Sequence, residues 1–188
     1  MSQQSETADI IAKIIGNSCV EVIQRSTGES VYLAPSVQRV PSIHLRPDIG
    51  CFVQFGGDYA GLVLLNFDAE TALYFYRTSM KFMGMPEEEL VNDSSHDEVL
   101  DSLGELVNQI VGQFRQQIQR IYGLSAVNKQ PKAIAIQDSI LLSVKDTIMA
   151  EAQCRRLSFK LREEFPFHVE FFIEQTEFAS IGDIEIPA

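Results

Sequence analysis

The 188-residue chain is short of positive charge, of cysteine and of long apolar runs, and each shortage removes a class of protein. Lys and Arg number 15 against 26 Asp and Glu, giving a formal charge of −11 that is spread along the chain, so a polyanion such as nucleic acid is not an expected partner. Cys19, Cys51 and Cys154 are odd in number, widely spaced and set among apolar neighbours, the pattern of free thiols in a reducing compartment. No apolar run approaches the length that spans a bilayer, and Met1 to Ala8 carry no basic stretch ahead of an apolar one; a cytoplasmic protein with no membrane partner is expected. No phosphate-cradling glycine loop opens a helix, and no Gly-x-Ser-x-Gly nucleophile turn is present. His44, His96 and His168 stand far apart, with no Cys or carboxylate at ligand spacing, so no metal site is expected; surface or capping roles suffice for them.

What is present suits a folded soluble protein: 45% hydrophobic and 22% charged residues, enough for a real core. The expectation is one domain over residues 1–188, with 176–188 as a C-terminal extension. Ile10, Ile11, Ile14, Ile15, Val22 and Ile23 recur at helical spacing between Thr7 and Arg25, and Gly28 stops that helix. Prolines 35, 41 and 47 mark a loop-rich stretch. Cys51 to Phe55 and Tyr59 to Phe67 read as a hairpin around a tight Gly56-Gly57-Asp58 turn, and the continuously apolar Leu62 to Leu65 predicts a central strand covered on both faces. Asp68 is an N-cap for a helix to about Met83, whose Leu73, Phe75, Tyr76, Met80 and Phe82 read as core. Ser95 and Glu98 form a capping box for the longest helix, to Tyr122 and closed by Gly123. Strands follow at Ala133 to Ile136 and around Ile140 to Val144. Then Leu157, Phe159 and Leu161 alternate with Arg156, Ser158 and Lys160, as Val169, Phe171 and Ile173 do with His168, Glu170 and Glu174, predicting an antiparallel pair with opposite charges on a wet face. The sum is an α+β fold, helices packed on a mostly antiparallel β-sheet.

Turning each residue of the longest helix by about 100° separates two faces. Val99, Leu103, Leu106, Val107, Ile110, Phe114, Ile118 and Ile121 form an apolar stripe, and Asp101, Glu105, Asn108, Gly112 and Gln119 gather opposite. That second face is short-chained at Asn108 and bare at Gly112, where the backbone of another protein can approach; an ordinary solvated face more often carries Lys, Glu or Ala.

The pattern Asp101-x3-Glu105-x2-Asn108-x22-Pro131 resembles the active-site motif of the CheC/CheX/FliY phosphatases, and is closest to CheX-like members with one site. Gly104 to Asn108 with Gly112, the Gly56 to Gly61 hairpin and the Glu70 to Leu73 helix start resemble CheX in the same order, so the likeness covers roughly residues 8 to 140. It implies a CheC/CheX-like fold and a phosphatase that hydrolyses the aspartyl-phosphate of a phosphorylated CheY-like response-regulator receiver, in chemotaxis or related two-component signalling. By the same likeness, Asn108 orients the attacking water, Glu105 pairs with the receiver's lysine, and Asp101, Gly112 and Pro131 support the site. No cofactor is expected on this chain, because the receiver supplies the magnesium. The alternative is a non-catalytic adaptor that binds a receiver or a flagellar-switch partner through the same helix.

Glu21-x2-Gln24-x22-Pro47, with Asn17 in place of the aspartate and Gln24 in place of the asparagine, has the same gaps and reads as an eroded repeat or a coincidence more readily than as a second working site. CheX-like proteins imply a homodimer, and the apolar strands around Phe52 and Leu64 offer an edge for it. The link from Met83 to Ser95 is longer and more acidic than in CheX.

Overall fold

A computed structural model describes residues 3–142 and 153–174. The expected extension at 176–188 and the end of the apolar stretch at Val144 lie outside them. Three helices, α1 (Gln3–Thr27), α2 (Ala69–Phe82) and α3 (Asp97–Tyr122), pack on one face of an antiparallel sheet, as the sequence leads one to expect. None of the helices in the described residues is long and apolar enough to cross a membrane.

The helices end where local chemistry dictates. Gly28 and Gly123 take left-handed backbone (φ 72° and 70°), which a glycine adopts without a Cβ clash, and these stop α1 and α3. Asp68 caps α2, its Oδ1 accepting from Thr71 N at 2.7 Å. The capping box at Ser95 does not form. Asp93 Oδ1 accepts from both Ser95 N (2.9 Å) and Ser95 Oγ (2.7 Å), closing a local turn that shifts the cap to His96, whose Nδ1 accepts from Glu98 N at 3.3 Å. The Glu98 carboxylate is thereby released to accept from the Tyr76 hydroxyl at 2.9 Å, tying α3 to α2. The acidic link folds back on α2: Glu87 pairs with Arg77 (2.9 Å) and Lys81 (2.6 Å), and Leu90 is buried.

The strands are β1 (Val31–Leu33), β2 (Gln38–Arg39), β3 (His44–Leu45), β4 (Ile49–Gly57), β5 (Gly61–Phe67), β6 (Ala126–Asn128), β7 (Lys132–Ala135), β8 (Ile140–Leu141), β9 (Gln153–Leu161) and β10 (Phe165–Ile173). Their order, β1-β9-β10-β5-β4-β6 with β2 on β9 and β7 on β4, reads alike from either end, and β3 pairs with β8. The sheet is therefore two like halves, one following α1 and the other α3, joined along β5 and β10. Every residue of β5 is buried, as its unbroken apolar run requires.

Several expectations change. Gly56 and Gly57 are not the hairpin turn; they extend β4 to pair with Val127 and Ala126, and the chain reverses over Asp58 to Ala60. A Cβ at Gly57 would lie 2.5 Å from Ser125 O, so close backbone approach explains that glycine. The charged face of β9 and β10 is wet at Lys160 but covered around Glu170. Ile43 and Leu45 lie over Leu62, Leu64 and Phe172, and under the same cover Glu170 is fully buried, paired with Arg156 (2.7 Å) and Arg46 (3.4 Å) and accepting from His44 N (2.9 Å). His44 and His168 are half-buried in that layer and not surface residues; only His96 has the capping role. Burial, with Arg156 close by, holds the His168 imidazole below its ordinary pKa. Phe52 and Leu64 provide no open edge for a dimer, because β4 and β5 are both paired on either side. Ile121 (50% exposed), Phe82 (60%) and Met83 (68%) lie outside the core: Ile121 sits in the last turn of α3, beyond its cover, and Phe82 folds over Gly28.

Candidate functional site

The apolar stripe of α3, from Val99 through Ile118, is buried, and this orients the opposite face outward. Asp101 and Glu105 are exposed there, with Asn108 and Gly112 half-exposed along the same line. No neighbouring atom lies within 4 Å of where a Gly112 Cβ would be, so internal packing does not require that glycine. Pro131, half-buried, stands between β6 and β7, where the chain re-enters the sheet beside β4. The five residues picked out by their spacing thus fall on α3 and the loop beside it.

The polar geometry has a definite direction. Glu105 Oε1 accepts from Gln109 Nε2 at 2.9 Å, and Oε2 from Asn108 Nδ2 at 3.5 Å. Asn108 Oδ1 accepts from Asn128 Nδ2 at 2.9 Å. Asn128 Oδ1 in turn accepts from Arg115 at 2.9 Å, and Arg115 Nε donates to Ala126 O at 2.6 Å, fastening β6 to the helix. Arg115 also faces Tyr59, whose hydroxyl burial pushes up to about 12 against the opposing effect of that positive charge. Sequence reasoning missed Arg115 and Asn128. Arg115 lies seven residues, about two turns, beyond Asn108, and the same helical projection places it on that face. Asn128 falls inside the twenty-two-residue gap of the motif and has no periodic signal.

The cysteines are poorly placed for chemistry. Burial raises the Cys19 and Cys51 thiols far above neutrality and raises Cys154 as well. Among the described residues no three of His, Cys, Asp or Glu come together in a way that could hold a metal ion.

The like halves decide the status of the second motif. α1 ends three residues before β1, and α3 ends three residues before β6. Superposing these ends sets buried Ile11, Ile15 and Ile23 on buried Leu106, Ile110 and Ile118. Glu105 and Asn108 then correspond to Ile10 and Lys13, and Pro131, just ahead of β7, to Val37 ahead of β2. Glu21 and Gln24 are exposed three turns further along, where Glu21 accepts from Gln113. Glu21 and Gln24 therefore do not occupy the positions on α1 that match Glu105 and Asn108 on α3.

The fold is that of the CheX, CheC-like and FliY chemotaxis proteins. A CheX from Desulfovibrio desulfuricans is 19% identical, with 87% of this chain and 99% of that one covered at a TM-score of 0.67. A CheX from Borrelia burgdorferi, solved as a complex with CheY, BeF3 and Mg2+, is 16% identical over 87% and 97% of the two chains, with a TM-score of 0.63. FliY from Thermotoga maritima is 17% identical over 90% of each, with a TM-score of 0.58. The chain itself belongs to the family described as "Protein of unknown function (DUF3334)", whose model matches residues 1–187. No curated protein matches it in sequence.

Proposed function

We propose that the chain is a phosphatase acting on the aspartyl-phosphate of a CheY-like receiver, with a role in chemotaxis or related two-component signalling. The observation that carries this reading is the outward face of α3, where Glu105 and Asn108 stand together beside a Gly112 that internal packing does not explain. A fold shared with a CheX solved in complex with CheY supports it.

The chemistry asks little of this chain beyond placement. Water oxygen attacks phosphorus, the phosphorus bond to the aspartyl oxygen breaks, and the products are a free carboxylate and inorganic phosphate; the receiver's magnesium offsets the charge that develops. Asn108 orients the water through its amide, which has no pKa near neutrality and so acts by position, not as a base. Glu105 anchors a lysine of the receiver and sets the register of the two surfaces. Asp101 and Pro131 hold the helix face and the adjoining loop.

The test is the decay of a phosphorylated CheY-like receiver in magnesium, with wild-type chain or Asn108→Ala. Acceleration by wild type that disappears in the variant is the expected result. Binding without any change in phosphate lifetime, using the cognate receiver, selects the non-catalytic adaptor instead.

A further inference from the structure

We propose that Asn128, oriented by Arg115, is a positioning residue that decides which end of the Asn108 amide faces the partner; the inference rests on the phosphatase reading and deepens it. An isolated asparagine presents its carbonyl or its NH2 with little preference, since the two ends are nearly equal in size. Here the choice is forced from inside the protein. A guanidinium donates and never accepts, so the atom of Asn128 that meets Arg115 at 2.9 Å must be its carbonyl oxygen. The NH2 of Asn128 is then turned the other way, toward Asn108, where it donates to the backbone oxygen at 3.4 Å and, at 2.9 Å, to a side-chain atom that must be the carbonyl oxygen. The Asn108 NH2 is left pointing outward on the side of Glu105, 3.5 Å from Oε2.

The polarity set at Arg115 is thus handed through two amides to the surface. Arg115 is itself fixed, because its Nε donates to the backbone oxygen of Ala126 in β6. The site therefore offers a donor to the phosphoryl oxygens, which can only accept, and to a lone pair of the water. A reversed amide would present a carbonyl oxygen to the phosphoryl oxygens and repel them, keeping only a bond accepted from the water. Neither asparagine amide is ionisable, so the orientation does not depend on a proton carried by either of them.

Asn128→Asp tests this with little change of shape. The carboxylate keeps Arg115 but can only accept, so Asn108 must turn its NH2 inward and its carbonyl outward. The expected result is a fall of roughly 10–100-fold in the saturated rate of receiver dephosphorylation, with the half-saturating receiver concentration within about threefold of wild type. Asn128→Ala, which frees the amide without reversing it, is expected to fall less. A second readout needs no activity: 15N relaxation of the Asn108 side-chain NH2, rigid in wild type and mobile in Asn128→Ala. An Asn128→Asp chain with the wild-type saturated rate, or with its whole loss in receiver affinity, overturns the proposal. An Asn108 amide as mobile in wild type as in Asn128→Ala does so too. If the wild-type chain fails to hasten decay at all, it is the phosphatase reading that falls, and the relaxation measurement alone decides the orientation.

Discussion

Replacing Gly112 with alanine is expected to strengthen the fold and weaken the docking. The residue lies in the middle of α3, and an added Cβ has no atom within 4 Å. The fold therefore gains the full helix preference of alanine over glycine, about 1 kcal/mol, and meets no steric cost. For a chain of this size that is a rise of about 2–4 °C in the thermal midpoint. Gly16 on α1 is the internal control: a Cβ there would lie 2.8 Å from Leu33 Cδ2, so Gly16→Ala must displace that side chain and should gain little or lose stability. Thermal denaturation of both variants, followed by titration with a phosphorylated receiver, reads both quantities. A methyl placed where a partner's backbone approaches should lower receiver affinity in Gly112→Ala even as the midpoint rises. A lower midpoint would mean that this helix face is not open. A higher midpoint with unchanged affinity would mean that the bare position has nothing to do with the partner.

Two further outcomes follow from the covered layer on the other side of the sheet. Glu170→Gln removes a fully buried carboxylate and leaves Arg156 and Arg46 without their counter-charge, which should cost about 3 kcal/mol, measurable by urea denaturation. The depressed pKa of His168 implies that the unfolded chain binds its proton more tightly than the folded one. Its contribution to stability is therefore present above the ordinary value of 6.5 and lost as pH falls toward the lower folded pKa. His168→Gln should flatten that part of a melting-against-pH curve, and an unchanged slope would refute the assignment.

The parts legible in the sequence are those governed by local rules. Asp68 before α2, Gly28 and Gly123 after α1 and α3, and the antiparallel pairing of β9 with β10 across a short corner each act within a few residues, and each appears as read. The outward set on α3 was legible for the same reason, since its buried stripe fixes the rotation of the helix. What failed depended on distant chain. Glu170 reads as a wet-face residue by alternation and is buried because a proline-punctuated segment some 125 residues earlier, with His44 and Arg46, crosses above it. Ser95 lost the cap to His96 through competition from Asp93, two residues away, which a single motif does not weigh. Asn128 became part of the site only because Arg115 reaches across from the helix to β6.

The order of strands also governs how the chain can come to be folded. Val31 of β1 waits for Leu161 of β9, and the free side of β5 waits for β10, so the first half cannot complete its own sheet. In return, the first half's β4 receives β6 from the second. Each half lends an edge strand to the other, and during synthesis the apolar β5 remains unpaired along one side until residue 173 has been made. Such distant pairing slows folding and removes any stable halfway product. A chain cut anywhere before β9 should therefore aggregate and not persist as a smaller domain, and the intact protein should unfold in one cooperative step.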